Sequence, residues 1–286
     1  MNRFQIITDS CSDLTAELIA ELDLCVIPMA IEYKGQNFVE GEISMHEIYD
    51  GLRAGEDAKT AAVNPETWTR YMEPFLKDGS DVLVISFSSG LSSTYQSAVI
   101  AAEELRDEYP ERNIRVIDSL CASMGQGLLV WYAANLQAAG KSLDEVAEWV
   151  ESHKLNLAHW FTVDDLMFLR RGGRISGATA VMGTMLQIKP VLHVDNEGKL
   201  ITMSKARGRK ASLQALVEKL QKTGLPGENS TVFISHGDCI EDAEFVAGLL
   251  RERCGVQNIV MGYIGAVIGS HAGPGTVALF FLADKR

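Results

Sequence analysis

Short apolar runs in this chain repeatedly give way to hydroxyl-rich loops that lead into helical patterns, and this sequence limits the fold more than any other feature. Phe4–Ile7 runs into Thr8-Asp9-Ser10-Cys11-Ser12-Asp13. Val82–Ser86 runs into a loop carrying Ser88, Ser89, Ser92, Ser93 and Thr94, and Ile114–Ile117 into Asp118-Ser119 and then Ser123. Strand, loop and helix in alternation predict a parallel sheet covered by helices on both faces. In such a sheet the carboxyl ends of the strands share one edge, so these loops should converge there. No repeat of solenoid length is present.

The texture changes near residue 160, where a Gly-rich basic stretch, Leu169-Arg170-Arg171-Gly172-Gly173-Arg174-Ile175-Ser176-Gly177, begins. A small-residue helix is predicted over Ser176–Ile188, followed by strands at Val191–Val194 and Leu200–Met203 and a further run of helices and strands. With 286 residues, two α/β domains are expected, 1–157 and 158–286, with a ligand tunnel and headgroup site in the cleft between them. Asn64-Pro65 opens a helix as N-cap and first helical residue. Ser44 with Glu47, and Ser142 with Glu145, have capping-box spacing.

Charge and composition exclude several classes. A formal net charge of −12 repels phosphate backbones, so nucleic acid is not an expected partner. Five cysteines without a CxxC pair support neither a disulfide framework nor a zinc ribbon. No metal is expected: His46-Glu47 starts like a zinc-protease motif but Asp50 stands where the second His belongs. The N-terminus shows no secretory apolar region, which predicts a cytoplasmic protein. Ile264–Ala283 contains no Asp, Glu, Lys or Arg, yet four glycines and Pro274 interrupt it. It reads as buried core broken by a loop carrying His271, and no transmembrane segment is expected.

The Ser86–Thr94 loop has six hydroxyls in nine residues, more than helix capping requires. The loops at 8–13 and 118–125 are explained by capping alone. None of the three contains Lys or Arg, and neither GxxxxGK[ST] nor GxGxxG occurs, so a nucleotide polyphosphate has no motif support. Hydroxyls, helix N-terminal amides and one imidazole suit a single carboxylate. Between Phe168 and Ser212, nine basic residues face only Asp195 and Glu197, reversing the sign of the whole chain. Arginines beside Gly172-Gly173 suit phosphate contact or an acidic partner. Ser176–Leu186, with small residues and Met182 and Met185, would suit a tunnel wall or a close helix contact.

Taken together, TDSCSDL at 8–14, Thr60, SSGLSSTYQSA at 88–98, SMGQGLLV at 123–130, LRRGGRISG at 169–177, KARGRK at 205–210 and IGAVIGSHAGPG at 264–275 resemble the DegV family of bacterial fatty-acid-binding proteins. The resemblance implies a non-catalytic two-domain protein enclosing one long-chain fatty acid, with no cofactor. By position, its carboxylate ligands would be Thr60, Ser92 and His271, supported by Ser10, Ser93 and Gly273. Some family members are the binding subunit of a fatty acid kinase serving phospholipid synthesis. By that analogy Arg170, Arg171, Arg174 and Arg207 would contact phosphate or the ATP-binding kinase subunit, and transient membrane contact would be compatible with the role. Two departures bear on the headgroup: Thr60-Ala61-Ala62-Val63 stands where the family commonly has Thr-Ser-Gln-Pro, and Leu91-Ser92-Ser93-Thr94-Tyr95 where it has LSGTY. Two rival readings remain at this level: a serine hydrolase or acyltransferase using Ser92 and His271, and a regulatory module for another small anion.

Overall fold

The computed structural model describes residues 3–176 and 187–286. Its strands are β1 (Phe4–Asp9), β2 (Cys25–Ile27), β3 (Ala30–Tyr33), β4 (Gln36–Val39), β5 (Ala58–Ala61), β6 (Asp81–Ser86) and β7 (Ile114–Asp118), then β8 (Leu157–Thr162), β9 (Ile188–Val194), β10 (Leu200–Arg207), β11 (Thr231–His236), β12 (Asn258–Tyr263) and β13 (Val277–Leu282). The small-residue helix predicted over Ser176–Ile188 lies largely outside the described residues.

The strands form three sheets. The first, ordered β2-β1-β6-β7, is parallel throughout, as the strand–loop–helix alternation predicted. Strands β1 and β6 are buried along their whole length, as befits strands covered on both faces. The second sheet, ordered β10-β9-β8-β13-β11-β12, is antiparallel except between β11 and β12. A small antiparallel sheet, β4-β3-β5, stands beside them. Its strands β4 and β5 are short and mostly exposed, so they left no apolar run to find in the sequence.

Helix Met124–Ala138 is buried all round through its first two turns, including Met124, Leu128, Leu129 and Val130. It packs against β1 and β6 on one side and β8, β11 and β13 on the other. One continuous core therefore joins Ile6 and Leu83 of the first sheet to Phe233 and Phe280 of the second through this helix. Each such side chain, fully buried, contributes about 1.5–3 kcal/mol.

Local signals are realised where the backbone needs them. Asn64 Oδ1 accepts from Thr67 N at 2.8 Å, with Pro65 as the first helical residue. Ser142 and Glu145 form a reciprocal capping box, whereas Ser44 only accepts from Glu47 N, at 3.1 Å. The His271 segment departs from its predicted loop. It forms a short helix, Ala266–Ala272, which ends on Gly273 at φ +81°. A left-handed residue there is cheapest as glycine.

Gly125 lets the central helix touch the second sheet: an added methyl would sit 2.2 Å from His159 Nε2 and 2.8 Å from the Phe280 ring. Gly125→Ala is expected to lower stability by about 1–3 kcal/mol through overpacking. A urea unfolding midpoint equal to that of the unaltered chain would contradict this packing.

Candidate functional site

Between the sheets lies a cavity of about 250 Å3. Met29, Phe87, Phe161, Leu169, Leu200 and Phe280 give it apolar walls, and Thr60, Ser92, Ser93, Ser123, Arg174 and His271 supply polar groups. The lining thus comes from both the first-sheet half of the chain and the second.

Thr60 and His271 meet across 211 residues of sequence, with Thr60 Oγ1 to His271 Nε2 at 2.8 Å. Thr60 is placed by β5, where it pairs with Ile31 of β3. His271 is placed by the short helix Ala266–Ala272. Tyr49 anchors the start of that helix by donating to Ile264 O at 2.8 Å, and its ring fills the space a side chain at Gly269 would need. On the other side, the bare Cα of Gly172 abuts the imidazole: a methyl there would lie 2.2 Å from His271 Nδ1. Burial, followed by the nearby Arg174 guanidinium, lowers the His271 pKa to about 4. The ring is therefore neutral at pH 7 and offers one donor and one acceptor nitrogen.

Ser92 lies where the loop after β6 meets the helix Thr94–Glu108. Its hydroxyl is 2.9 Å from Thr94 Oγ1 and accepts from Thr94 N at 3.2 Å. Thr94 Oγ1 in turn accepts from Val63 N at 3.4 Å, tying this loop to the chain just past Thr60. Arg174 donates to Leu91 O at 3.1 Å and to Gly172 O, so one half-buried guanidinium touches the neighbours of both Ser92 and His271. At the base of the loop, Asp9 accepts from Phe87 N at 2.8 Å and Cys11 N at 3.2 Å. Burial nevertheless raises the Asp9 pKa to about 6.

The loops that the sequence explained by capping do more than cap. Asp13 accepts from Gly265 N at 3.0 Å and from Ser123 Oγ, and Ser123 Oγ lies 2.9 Å from Ser235 Oγ. Glu40 accepts from Val267 N at 3.1 Å. Two carboxyls thus hold the start of the His271 helix, and burial raises both pKa values. Ser123 reaches the cavity wall with φ +53°, a strained backbone for a serine.

The structure brings Thr60, Ser92, Ser93 and His271 onto one cavity. Ser10 and Gly273 lie off its wall: Ser10 Oγ accepts from Met29 N at 3.0 Å, and Gly273 packs on the Phe168 ring as the helix cap. Ser92 and His271 do not hydrogen-bond to each other, since Ser92 engages Thr94 and His271 engages Thr60. A hydrolytic nucleophile needs its base within reach. Arg171 and Arg174 line an outer pocket of about 370 Å3 that shares Thr60 and His271 with the cavity. Arg170 and Arg207 are exposed. The basic segment is less free than its sequence suggests. Arg209 pairs with Asp242 and Asp164, Lys189 with Asp164, and Arg171 with Asp57, acids that lie outside that segment.

His159 was not legible as a lining residue. It is fully buried, its Nε2 accepts from Ala122 N at 3.3 Å, and its Nδ1 faces Leu157 O at 2.9 Å. Burial holds its pKa well below the usual range, so it forms a neutral wall. A histidine inside the apolar run of β8 was the one available signal. Among the described residues, no group of three or more His, Cys, Asp or Glu side chains could hold a metal ion, and no helix is long and apolar enough to cross a membrane.

The fold and cavity define an α/β protein with a mostly apolar cavity whose wall carries hydroxyls and neutral imidazoles. Comparison with known proteins gives the particular group. The family described as "Uncharacterised protein, DegV family" matches residues 3–284. A DegV domain-containing protein of Clostridium perfringens is 43% identical over 289 residues, covering 100% of this chain and 99% of that one. A DegV family protein from Thermus thermophilus, described by its fatty acid binding, superposes with a TM-score of 0.88 at 31% identity, covering 98% of this chain and 99% of its own. A DegV family protein from Ruminococcus gnavus, described with vaccenic acid, gives a TM-score of 0.87 at 27% identity, covering 97% and 99%. This chain belongs to the DegV family.

The lowered His271 pKa has a signed consequence. Its folded value of about 4 lies below the ordinary imidazole value of about 6.5. The unfolded chain therefore binds the proton more readily, and stability falls as pH drops from about 6.5 toward 4. His271→Gln is expected to reduce this acid destabilisation, measured as the melting temperature at pH 7 minus that at pH 5. An NMR titration placing His271 near 6.5 would refute the buried neutral ring.

Proposed function

We propose that this chain binds one long-chain fatty acid, with the acyl chain in the cavity and the carboxylate on Thr60, Ser92 and His271. The observation that carries the reading is the meeting of Thr60 and His271, 2.8 Å apart, on the wall of a mostly apolar cavity that also carries Ser92. Neutral donors suit a group with one charge. A dozen buried methylenes at about 0.8 kcal/mol each supply on the order of 10 kcal/mol before ordering costs. The family relatives described as binding fatty acids support the same reading. The protein is a non-catalytic, cytoplasmic carrier in this proposal. It presents the carboxylate to a separate ATP-binding kinase subunit for acyl phosphate formation, feeding phospholipid synthesis. The outer pocket, with Arg171 and Arg174 beside the headgroup, supports a place for the transferred phosphate, and the exposed Arg170 and Arg207 suit the partner. The two-domain division at residue 157 belongs to the same proposal, because it puts the ligand where the domains meet.

Native mass spectrometry of the purified chain is expected to show an added mass that disappears on denaturation, matched by a free C14–C18 acid in the organic extract. An adduct that persists would indicate a covalent acyl-enzyme instead, and no adduct would count against the carrier. Ser92→Ala and Thr60→Ala should each weaken palmitate binding about tenfold, the loss of one hydrogen bond to a charged group. Unchanged affinity in the double variant would refute the site. Arg171→Ala should keep palmitate binding but lower acyl phosphate formation with the kinase subunit. Phosphorylation by the pure chain with ATP alone would overturn the carrier role.

A further inference from the structure

The loop that carries Ser92 rests on the turn between β9 and β10, and the contact is backbone against backbone. A methyl added at Gly90 would lie 2.5 Å from Glu197 O and 2.8 Å from Gly198 O. A methyl added at Gly198, which sits at φ +71°, would lie 2.0 Å from Ser88 Oγ. Ser88 is fully buried at this contact. Its hydroxyl donates to Gly198 O at 2.8 Å and accepts from Gly90 N at 3.1 Å. Its carbonyl accepts from both Leu91 N and Ser92 N, each at 3.1 Å. One residue thus joins the turn of the second sheet to the backbone of Ser92. The turn is itself fixed, because Asp195 Oδ1 accepts from Glu197 N and Lys199 N, both at 2.9 Å. Two residues past the turn's Gly198, Leu200 lines the cavity.

We infer that Ser88 is a positioning residue for the headgroup site, transmitting the position of the β9–β10 turn to Ser92 and so setting how well the site discriminates a carboxylate from a neutral headgroup. The inference rests on the fatty-acid reading above. Removing the hydroxyl leaves Gly198 O and Gly90 N without their buried partner and lets the Ser88–Ser92 turn shift. A hydroxyl misplaced by a fraction of an ångström loses much of its bond to a charged acceptor. The apolar walls do not depend on that bond, so the acyl chain should bind as before.

The test compares palmitate with hexadecanol, which has the same chain and no carboxylate, by competitive displacement of a fluorescent fatty acid. The proteins are the delipidated full chain, Ser88→Ala and Ser88→Thr, each checked for folding by circular dichroism and melting temperature. For Ser88→Ala, palmitate affinity should fall about tenfold, the loss of one hydrogen bond to a charged group, while hexadecanol affinity stays within twofold. Ser88→Thr, which keeps the hydroxyl, should retain the preference for palmitate. An equal fall for both ligands would mean a purely structural role and overturn the inference, as would an unchanged preference in Ser88→Ala. If Ser88→Ala does not fold, Ser88→Cys keeps the volume with a weaker donor and is read by the same two outcomes. Failure of the unaltered chain to bind palmitate would instead sink the fatty-acid reading itself.

Discussion

The burial of helix Met124–Ala138 between two sheets is the constraint on which the rest depends. A helix whose first two turns are buried on every side has no face there to give to water, so that part must be enclosed. Enclosing it brings the carboxyl edge of the parallel sheet up against β8 and β13. The loops after β1, β6 and β7 then have nowhere to go but against the second sheet. The cavity is the space left where these loops and the far sheet fail to fill the volume. Its hydroxyls come largely from these loops, as with Ser92, Ser93 and Ser123, and much of its apolar wall from the core faces of the second sheet, as with Phe161 and Phe280.

Charge inside this region is handled by neutralisation. His159 and His271 are held neutral by burial, and Asp9, Asp13 and Glu40 are shifted toward their protonated forms. Arg174 lies on the cavity wall, and its guanidinium is turned onto two backbone carbonyls. A site built this way suits a ligand with one modest charge better than a polyanion. The surface cations farther out are a separate matter, and several are already paired with acids.

Much of the architecture was legible because periodicity and turn chemistry repeat. The parallel sheet followed from β1, β6 and β7 each leading through hydroxyls into a helix, and the Asn64-Pro65 and Ser142–Glu145 caps stand where their spacing put them. What was not legible depends on contacts distant in sequence. The strand carrying Thr60 is four exposed-to-half-buried residues with no apolar pattern, and pairing with β3 alone makes it a strand. The His271 segment, rich in glycine, reads as a loop, yet Tyr49 and the carboxyls of Asp13 and Glu40 hold it as a helix. Of the glycines that suggest irregular backbone, Gly269 and Gly273 leave room for the rings of Tyr49 and Phe168, and Gly265 and Gly275 for the carboxylates of Glu40, Asp13 and Asp164. Of the candidate residues on the cavity wall, Ser92 could be read from hydroxyl density and His271 from its apolar setting, whereas Thr60 came through family resemblance. The roles of Ser123 and His159 on the wall had no local signal strong enough to separate them from capping and core.

The bonds that complete the cavity link the two ends of the chain: Thr60 to His271 over 211 positions, Tyr49 to Ile264 over 215, and Asp13 to Gly265 over 252. Contacts of such separation form late, since the loop-closure entropy must be met before they return any energy. The strands of the parallel sheet can pair while the second half is still being synthesised, but the cavity is not complete until Ala266–Ala272 docks. A nascent chain therefore cannot close this cavity before the segment carrying Ile264, Gly265 and His271 has been made, and the central helix waits with it for the cover of β11 and β13.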